Sequence, residues 1–319
     1  MKKVFVTGGT GSFGQEFAQE ALRKTPWEIT IYSRHEQLQA EMQKSLFDPR
    51  KKVKYLIGDV RDKHRLNFVL ADMDYVVHAA ALKNLDVTEY NPSETVKTNI
   101  NGAVNIIDAA IMNNIEKVLV LSTDKSVSPM NLYGATKLCS DKLFIASNIH
   151  LKTKFSVIRY GNFTESRGSV VPLFKKMKKQ KTKELPITDF KMTRFFINIG
   201  DAVALAREAL EKMEGGEIFS PKMSGYLIAD LAKKIYPRAK LVEIGRRPGE
   251  KLHENLILND DATRTWEYDR YYITYPEFDW WNGKVVGGGK KLKEPVFFQY
   301  KSDLCQDEES KRMTKIRLD

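Results

Sequence analysis

The chain has 319 residues, 42% of them hydrophobic, a formal net charge of +11 and two cysteines, Cys139 and Cys305. That length buries a large core, and two cysteines exclude both a disulfide framework and a metal-ligand spacing, so no metal site is expected. No apolar run reaches about eighteen residues, which argues against a membrane span; the basic balance comes without a nucleic-acid motif, and its densest run, residues 175–181, reads as the solvated face of a helix.

The first element is Lys3-Val4-Phe5-Val6-Thr7, an apolar run expected to be a buried strand. A chain opening directly on a strand is expected to carry no signal peptide and to work in a reducing, cytoplasmic setting. Gly8-Gly9-Thr10-Gly11-Ser12-Phe13-Gly14 follows, then a helical pattern. Gly9-x-Gly11-x-x-Gly14 fits the dinucleotide fingerprint, and Gly8-x-x-Gly11-x-x-Gly14 fits the spacing used by short-chain dehydrogenases. Such glycines close the turn and let backbone N–H groups approach a pyrophosphate at the helix start.

A second strand over residues 28–32 leads into Ser33-Arg34-His35-Glu36-Gln37. An NAD site places an acid there for the ribose 2′-hydroxyl. Ser33, Arg34 and Gln37 stand there instead, and a guanidinium suits a 2′-phosphate, so NADP is expected over NAD. A third strand over 53–57 ends at Gly58-Asp59-Val60, where an acid can meet the adenine amino group. A fourth, over 75–78, runs into Ala79-Ala80-Ala81, whose small side chains let the backbone lie against a cofactor. Residues 117–121 and 155–159 read as a fifth and a sixth strand. Helical stretches separate them all, which predicts an α/β fold, a Rossmann-like doubly wound parallel sheet. Gly11, Arg34, Asp59, Ala80, Thr123 and Asn162 fall at strand carboxyl ends and should converge on one crevice.

Two motifs carry the chemistry. A helix starting near Leu132 puts Tyr133 and Lys137 one turn apart on one face. The ammonium is expected to lower the Tyr133 pKa so that the phenolate serves as a base at a carbon bearing a hydroxyl, with Thr123 bonding the same hydroxyl. Upstream stand Asp124 and Lys125, an acid and a base. In isolation Asp124 reads equally as a turn cap and Lys125 as a surface cation. With the glycine loop and the Tyr-x-x-x-Lys pair present, they point to proton transfer at neighbouring carbons: a dehydratase that borrows a hydride and returns it.

The segments already quoted, with Lys83, Glu89-Tyr90-Asn91-Pro92, Lys97-Thr98-Asn99, Arg159-Tyr160-Gly161-Asn162, Ser166-Arg167-Gly168-Ser169-Val170-Val171-Pro172, Met192-Thr193-Arg194-Phe195 and Arg247-Pro248-Gly249-Glu250-Lys251-Leu252-His253-Glu254, resemble the extended short-chain dehydrogenase/reductase superfamily. More narrowly, they resemble configuration-inverting UDP-N-acetylglucosamine 4,6-dehydratases of the pseudaminic acid type, from residue 3 to about Pro276. The resemblance implies that Tyr133 takes the C4 hydroxyl proton while hydride passes to NADP, and that Lys137 supports Tyr133 and the nicotinamide ribose. It implies that neutral Lys125 removes the C5 proton, its pKa lowered by burial and neighbouring cations, and that protonated Asp124 serves the leaving C6 hydroxyl. Lys125 and Tyr133 are both candidates to reprotonate C5 from the opposite face. Retaining relatives carry Met at the Tyr133 position, so Tyr implies inversion. Asn99 is implied at the cofactor, and Lys83, Asn162, Arg194, Arg247 and Glu250 at the nucleotide sugar. A homo-oligomer is implied as well.

Two departures stand out. Phe163-Thr164-Glu165 replaces the family's Val-Val-Gly after Asn162, placing an aromatic and an acid beside the expected sugar pocket, and similarity fades after Pro276. The expected division is a Rossmann domain over 1–162, rejoined at about 196–220, a substrate-binding domain over 163–195 and 221–280, and a loop with a charged tail over 281–319. A nucleotide-sugar epimerase, a dehydratase acting on another nucleotide sugar and a non-catalytic NADP-sensing protein are the rival readings. The first needs Tyr133 and Lys137 but not Asp124 and Lys125.

Overall fold

Val4, Phe5 and Val6 are all wholly buried, as in a parallel strand covered on both faces. They form β1 (Lys3–Thr7), and the same logic gives β2 (Glu28–Ser33), β4 (Tyr75–His78), β5 (Lys117–Thr123) and β6 (Lys154–Tyr160), whereas β3 (Val53–Ile57) is a partly exposed edge strand. The structure is a computed structural model and describes residues 1–305 apart from 151, 167, 282–283 and 294–297. Arg167 and the expected charged tail from 307 onward lie outside the described residues.

The helices between these strands are α1 (Ser12–Lys24), α2 (Glu36–Ser45), α3 (Lys63–Leu70), α4 (Leu85–Tyr90), α5 (Pro92–Val96), α6 (Gly102–Met112) and α7 (Leu132–Ala146). There follow β7 (Asn162–Phe163), α8 (Val170–Lys179), β8 (Glu184–Ile187), β9 (Thr193–Ile197), α9 (Ile199–Lys212), β10 (Ile218–Pro221), β11 (Ser224–Leu227), α10 (Ile228–Ile235) and β12 (Lys240–Glu243). The last elements are β13 (Asn255–Ile257), α11 (Asn259–Ala262), β14 (Thr265–Glu267), β15 (Tyr271–Thr274), β16 (Lys290–Lys291) and β17 (Tyr300–Lys301).

One ten-stranded sheet organises the molecule, in the order β3-β2-β1-β4-β5-β6-β10-β15-β14-β16. The pairings from β3 through β10 are parallel, and β15, β14 and β16 add on antiparallel. The expected doubly wound sheet is present, with its order reversing between β1 and β4, where such folds bind ligands. Four strands of this sheet stand where the sequence predicts none: β10 at the end of the stretch expected to rejoin the Rossmann domain, β14 and β15 in the stretch given to the substrate-binding domain, and β16 in the expected loop. β14 and β15 form a tight hairpin, but β15 joins the sheet through β10 and β14 pairs with β16, both far away in sequence, and periodicity within a segment of two to four residues does not reveal such a partner.

Apolar side chains from α1 and α9 cover one face of the sheet, and those from α3, α6 and α7 the other. A third cluster, including Val171, Phe174, Leu185, Ile187, Phe196, Ile228 and Leu231, is the core of a smaller lobe above the strand ends. That lobe contains the three-stranded sheet β11-β9-β7 and the parallel pair β12-β8. β17 returns to pair with β13, and Tyr300 packs its ring 4.9 Å from Phe195.

Candidate active site

A crevice of about 770 Å³ runs along the carboxyl ends of β1, β4, β5 and β6, roofed by the smaller lobe. At one end is the glycine loop. Helix α1 starts at Gly11 with no side-chain cap, so its first N–H groups and its dipole face the crevice, as an anion site requires. A Cβ on Gly14 would lie 2.5 Å from the Gly9 backbone, so only glycine lets helix and loop close. Thr7 Oγ1 accepts hydrogen bonds from the backbone N–H of Ala79 (3.1 Å) and Ala80 (3.2 Å) and donates to His78 Nδ1 at 2.8 Å. This holds the alanine segment flat against the crevice. Burial keeps His78 neutral, its pKa pushed down to about 3 with a further contribution from Lys137.

Gly8, Thr10, Gly11, Ser12, Phe13, Gly14, Ser33, Arg34, Asp59, Val60, Ala79, Ala80 and Ala81 all line this end. Arg34 is half exposed, with its guanidinium 3.8 Å from Asp59. Burial works against charge on Asp59, but hydrogen bonds from the Arg61 side chain and backbone and the nearby Arg34 leave its carboxyl below the usual range. The uncapped helix start, the glycine closure and the open guanidinium fit a dinucleotide. Two expected cofactor residues are placed elsewhere. Gln37 sits exposed on α2 and donates to Glu41 at 3.1 Å, because the helix turns its side chain away from the crevice. Asn99 is buried in a π-helical turn, Lys97–Asn101. Its amide exchanges hydrogen bonds with the Leu82 backbone (2.8 and 2.9 Å) and donates to Thr136 Oγ1 (3.0 Å). Asn99 therefore ties the segment after β4 to α7 without lining the crevice.

The chemistry-bearing end is built on β5 and α7. A 3₁₀ turn, Asp124–Ser126, follows β5 directly. The backbone oxygen of Lys125 lies where a Cβ on Gly134 would stand, at 2.2 Å, so the glycine inside Tyr133-Gly134-Ala135-Thr136-Lys137 lets α7 press against the turn. Thr123, Lys125, Tyr133 and Lys137 line the crevice. Asp124 is wholly buried behind them, one oxygen accepting from Lys125 Nζ and from Thr123 Oγ1, both at 3.0 Å, the other without a hydrogen-bond partner. Burial raises the Asp124 pKa against the pull of Lys125.

Two electrostatic expectations are corrected. Burial disfavours the Lys125 ammonium, but the carboxylates of Asp124 and Glu254 overcome it and hold the pKa above the ordinary lysine value. The sequence reading had it lowered. Tyr133 is pushed up to about 12 by burial, which outweighs the opposing influence of Lys125 and Thr123. The expected depression by Lys137 is not what governs it; burial lowers the pKa of Lys137 itself, opposed by Asp141.

Asn162 reaches Lys125 Nζ with its carbonyl oxygen at 3.4 Å. Phe163 packs against the rings of Phe13 (6.2 Å) and Tyr160 (5.4 Å) and lines the crevice. Glu165 is exposed and does not line the crevice, so no acid is added beside the expected sugar pocket. From the smaller lobe come Arg194, Arg247 and Glu250, with Lys83 at the opposite rim. Arg194 is buried and donates to the backbone oxygens of Thr193 (2.7 Å), Leu252 (3.1 Å) and Lys251 (2.8 Å). Arg247 is half exposed, donating to Glu250 at 3.0 Å and lying 3.6 Å from Asp86 across the mouth. Burial opposes charge on Glu250, but Arg247 holds its carboxyl below the usual range. In the sequence Lys251 and Glu254 stand out only as members of the motif over 247–254. The structure packs both into the site; the available signal was a run of five charged or titratable residues among eight.

Fold and site together define an extended short-chain dehydrogenase/reductase with a crevice for a dinucleotide and a second ligand. The chain belongs to the polysaccharide biosynthesis protein family, whose model matches residues 4–276. It is 48% identical over 313 residues to a UDP-N-acetylglucosamine 4,6-dehydratase (inverting) of Campylobacter jejuni, covering 95% of this chain and 92% of the relative. It is 42% identical to a UDP-glucose 4-epimerase of Rickettsia bellii, covering 85% and 82%. Among solved structures, Pen from Bacillus thuringiensis superposes with a TM-score of 0.88 at 34% identity, covering 96% of this chain and 94% of that one. DesIV, a dTDP-glucose 4,6-dehydratase from Streptomyces venezuelae solved with NAD and TYD bound, shares the fold at a TM-score of 0.70 and 21% identity, covering 78% and 86%.

Proposed function

We propose that the protein is a nucleotide-sugar 4,6-dehydratase acting on UDP-N-acetylglucosamine, with NADP as its bound redox partner and inversion at C5. The observation that carries this is the buried Asp124–Lys125 pair, 3.0 Å apart, at the strand end beside Tyr133 and Lys137. The bound dinucleotide supplies the hydride acceptor for C4 and the hydride donor for C6. Tyr133, a phenol at rest, takes the C4 hydroxyl proton only as the phenolate, the form that the positive charge of an oxidised dinucleotide beside Lys137 would favour; the resulting ketone acidifies the C5 proton. At rest Lys125 is an ammonium and Asp124 its carboxylate. One proton moved along their contact yields an amine and a carboxylic acid together. The amine takes the C5 proton. The acid, too buried to reach substrate itself, passes its proton through Thr123 Oγ1 to the departing C6 hydroxyl. Lys125 or Tyr133 then returns a proton to C5 from the other face. Arg247 and Lys83 face the diphosphate, and Asn162 the sugar.

Homo-oligomeric assembly and a cytoplasmic setting belong to the same proposal. Among the described residues, no helix is long and apolar enough to cross a membrane. The Rickettsia relative favours one rival, C4 epimerisation, which Tyr133 and Lys137 alone can support. Lys125→Ala and Asp124→Asn decide between them: both are expected to bind NADP normally and lose dehydration, whereas near-normal water loss in either variant overturns the assignment. Proton coupling constants around the product ring report the configuration at C5, with the inverted product expected.

A further inference from the structure

Glu254 is 2% exposed, yet it belongs to a segment outside the Tyr-x-x-x-Lys machinery. Its backbone is locked by two hydrogen bonds of 2.9 Å: Glu254 N–H donates to Ser302 Oγ, and Ser302 N–H donates to the Glu254 oxygen. Its carboxylate lies 3.5 Å from Lys125 Nζ, 3.0 Å from Lys251 Nζ and 3.9 Å from Arg194 Nε. Lys251 donates to the Val127 backbone oxygen at 2.7 Å, so the same cation grips the turn that carries Asp124 and Lys125. The groups facing Lys125 are thus Asp124, Glu254, Arg194, Tyr133 and Asn162, with Lys251 and Glu250 one contact further out.

We propose that Glu254 is a positioning residue that, balanced by Lys251, sets how tightly the Asp124–Lys125 pair holds its shared proton. A carboxylate at this distance in a dry site favours charge on Lys125 and opposes charge on Asp124. It therefore raises the proton affinity of both members, which titrate as one unit. Lys251 tempers this. Without it the pair would hold its protons harder still, and the neutral amine needed for C5 would be rarer. The kinetic consequence rests on the dehydratase reading; the charge relation does not.

The test uses the full-length protein and the variants Glu254→Gln and Lys251→Gln. Only a neutral amine reacts with acetic anhydride, so the rate of Lys125 acetylation relative to an exposed lysine, measured by mass spectrometry at mildly alkaline pH, reports its neutral fraction. Glu254→Gln is expected to raise that rate about tenfold, one pH unit of proton affinity, and Lys251→Gln to lower it. In turnover, Glu254→Gln is expected to move both limbs of the pH–rate bell down by about one unit, with KM unchanged. Equal labelling in wild type and Glu254→Gln, or faster labelling in both variants, means loosened packing alone and overturns the proposal. If Glu254→Gln does not fold, Lys251→Gln carries the test, and normal or faster labelling there overturns it. Absence of turnover on nucleotide sugars, with the labelling shifts present, overturns the dehydratase reading and leaves the charge relation standing.

Discussion

Lys125 rests between two carboxylates, and this decides how an amine base can arise in the crevice. A lone buried lysine would shed its proton through desolvation; here the Asp124 and Glu254 charges outweigh that cost. In the proposed reaction the base comes from a proton shift inside the pair. Sequence spacing anticipated that Asp124, Lys125, Tyr133 and Lys137 come together but missed their resting states, because Glu254 arrives from a distant segment and burial is not written in a motif. Arg34 shows the reverse. Its position after β2 was enough to predict its place at the crevice, and Arg34→Ala is expected to weaken NADP+ binding about tenfold, the loss of one charged hydrogen bond of ~1.5 kcal/mol, with NAD+ binding little changed; calorimetry checks this, and an equal loss for both cofactors would contradict it. His78 gives a pH prediction. Its folded pKa is lowered to about 3 from 6.5, so the unfolded chain binds the proton first as pH falls. Stability contributed by the neutral ring is complete above 6.5 and declines progressively from there down to about 3. In thermal melts across that window, His78→Phe should show a shallower loss than wild type; an identical slope would refute the assignment.

Helix α7 and the 3₁₀ turn after β5 act as one element, because Gly134 removes the side chain that would keep them apart. Gly134→Ala is expected to displace the Lys125 backbone and cut dehydration about 100-fold, as a misplacement of roughly 1 Å can. A melting temperature lowered by overpacking should accompany it. Wild-type turnover in this variant would show that the close approach is not needed. Strands β1, β2, β4, β5 and β6 were legible because each holds a short apolar run covered on both faces, and β3, a partly exposed edge strand, because of its place in the strand-helix alternation. The antiparallel strands β14, β15 and β16 were not. They are short, Thr265-Trp266-Glu267 mixes polar and apolar residues, and the pairing of β15 with β10 is set by tertiary contact.

The whole molecule closes two lobes over one crevice, and its C-terminal described segment takes part. Asn131 Nδ2 donates to the Gly249 oxygen at 3.0 Å, and Lys251 binds Val127, so the smaller lobe is stitched to the segment that carries Asp124 and Lys125. β17 lies under that stitch, with Tyr300 buried against Phe195 and Tyr272. Tyr300→Ala is expected to cost about 3–5 kcal/mol in denaturant unfolding, as for other large aromatic deletions; a cost below about 1 kcal/mol, typical of surface sites, would mean the segment is not part of the core. This coupling was not legible because β17 is only two residues long and pairs with a strand far back in the sequence; the expected fading of similarity after Pro276 is corrected, since the dehydratase relative matches 95% of the chain. Mass spectrometry of UDP-N-acetylglucosamine incubated with the NADP-loaded protein addresses the dehydratase assignment most directly. The expected product has lost one water, with no net reduction of cofactor. A nucleotide sugar of unchanged mass but altered configuration at C4, or no product at all, would contradict it.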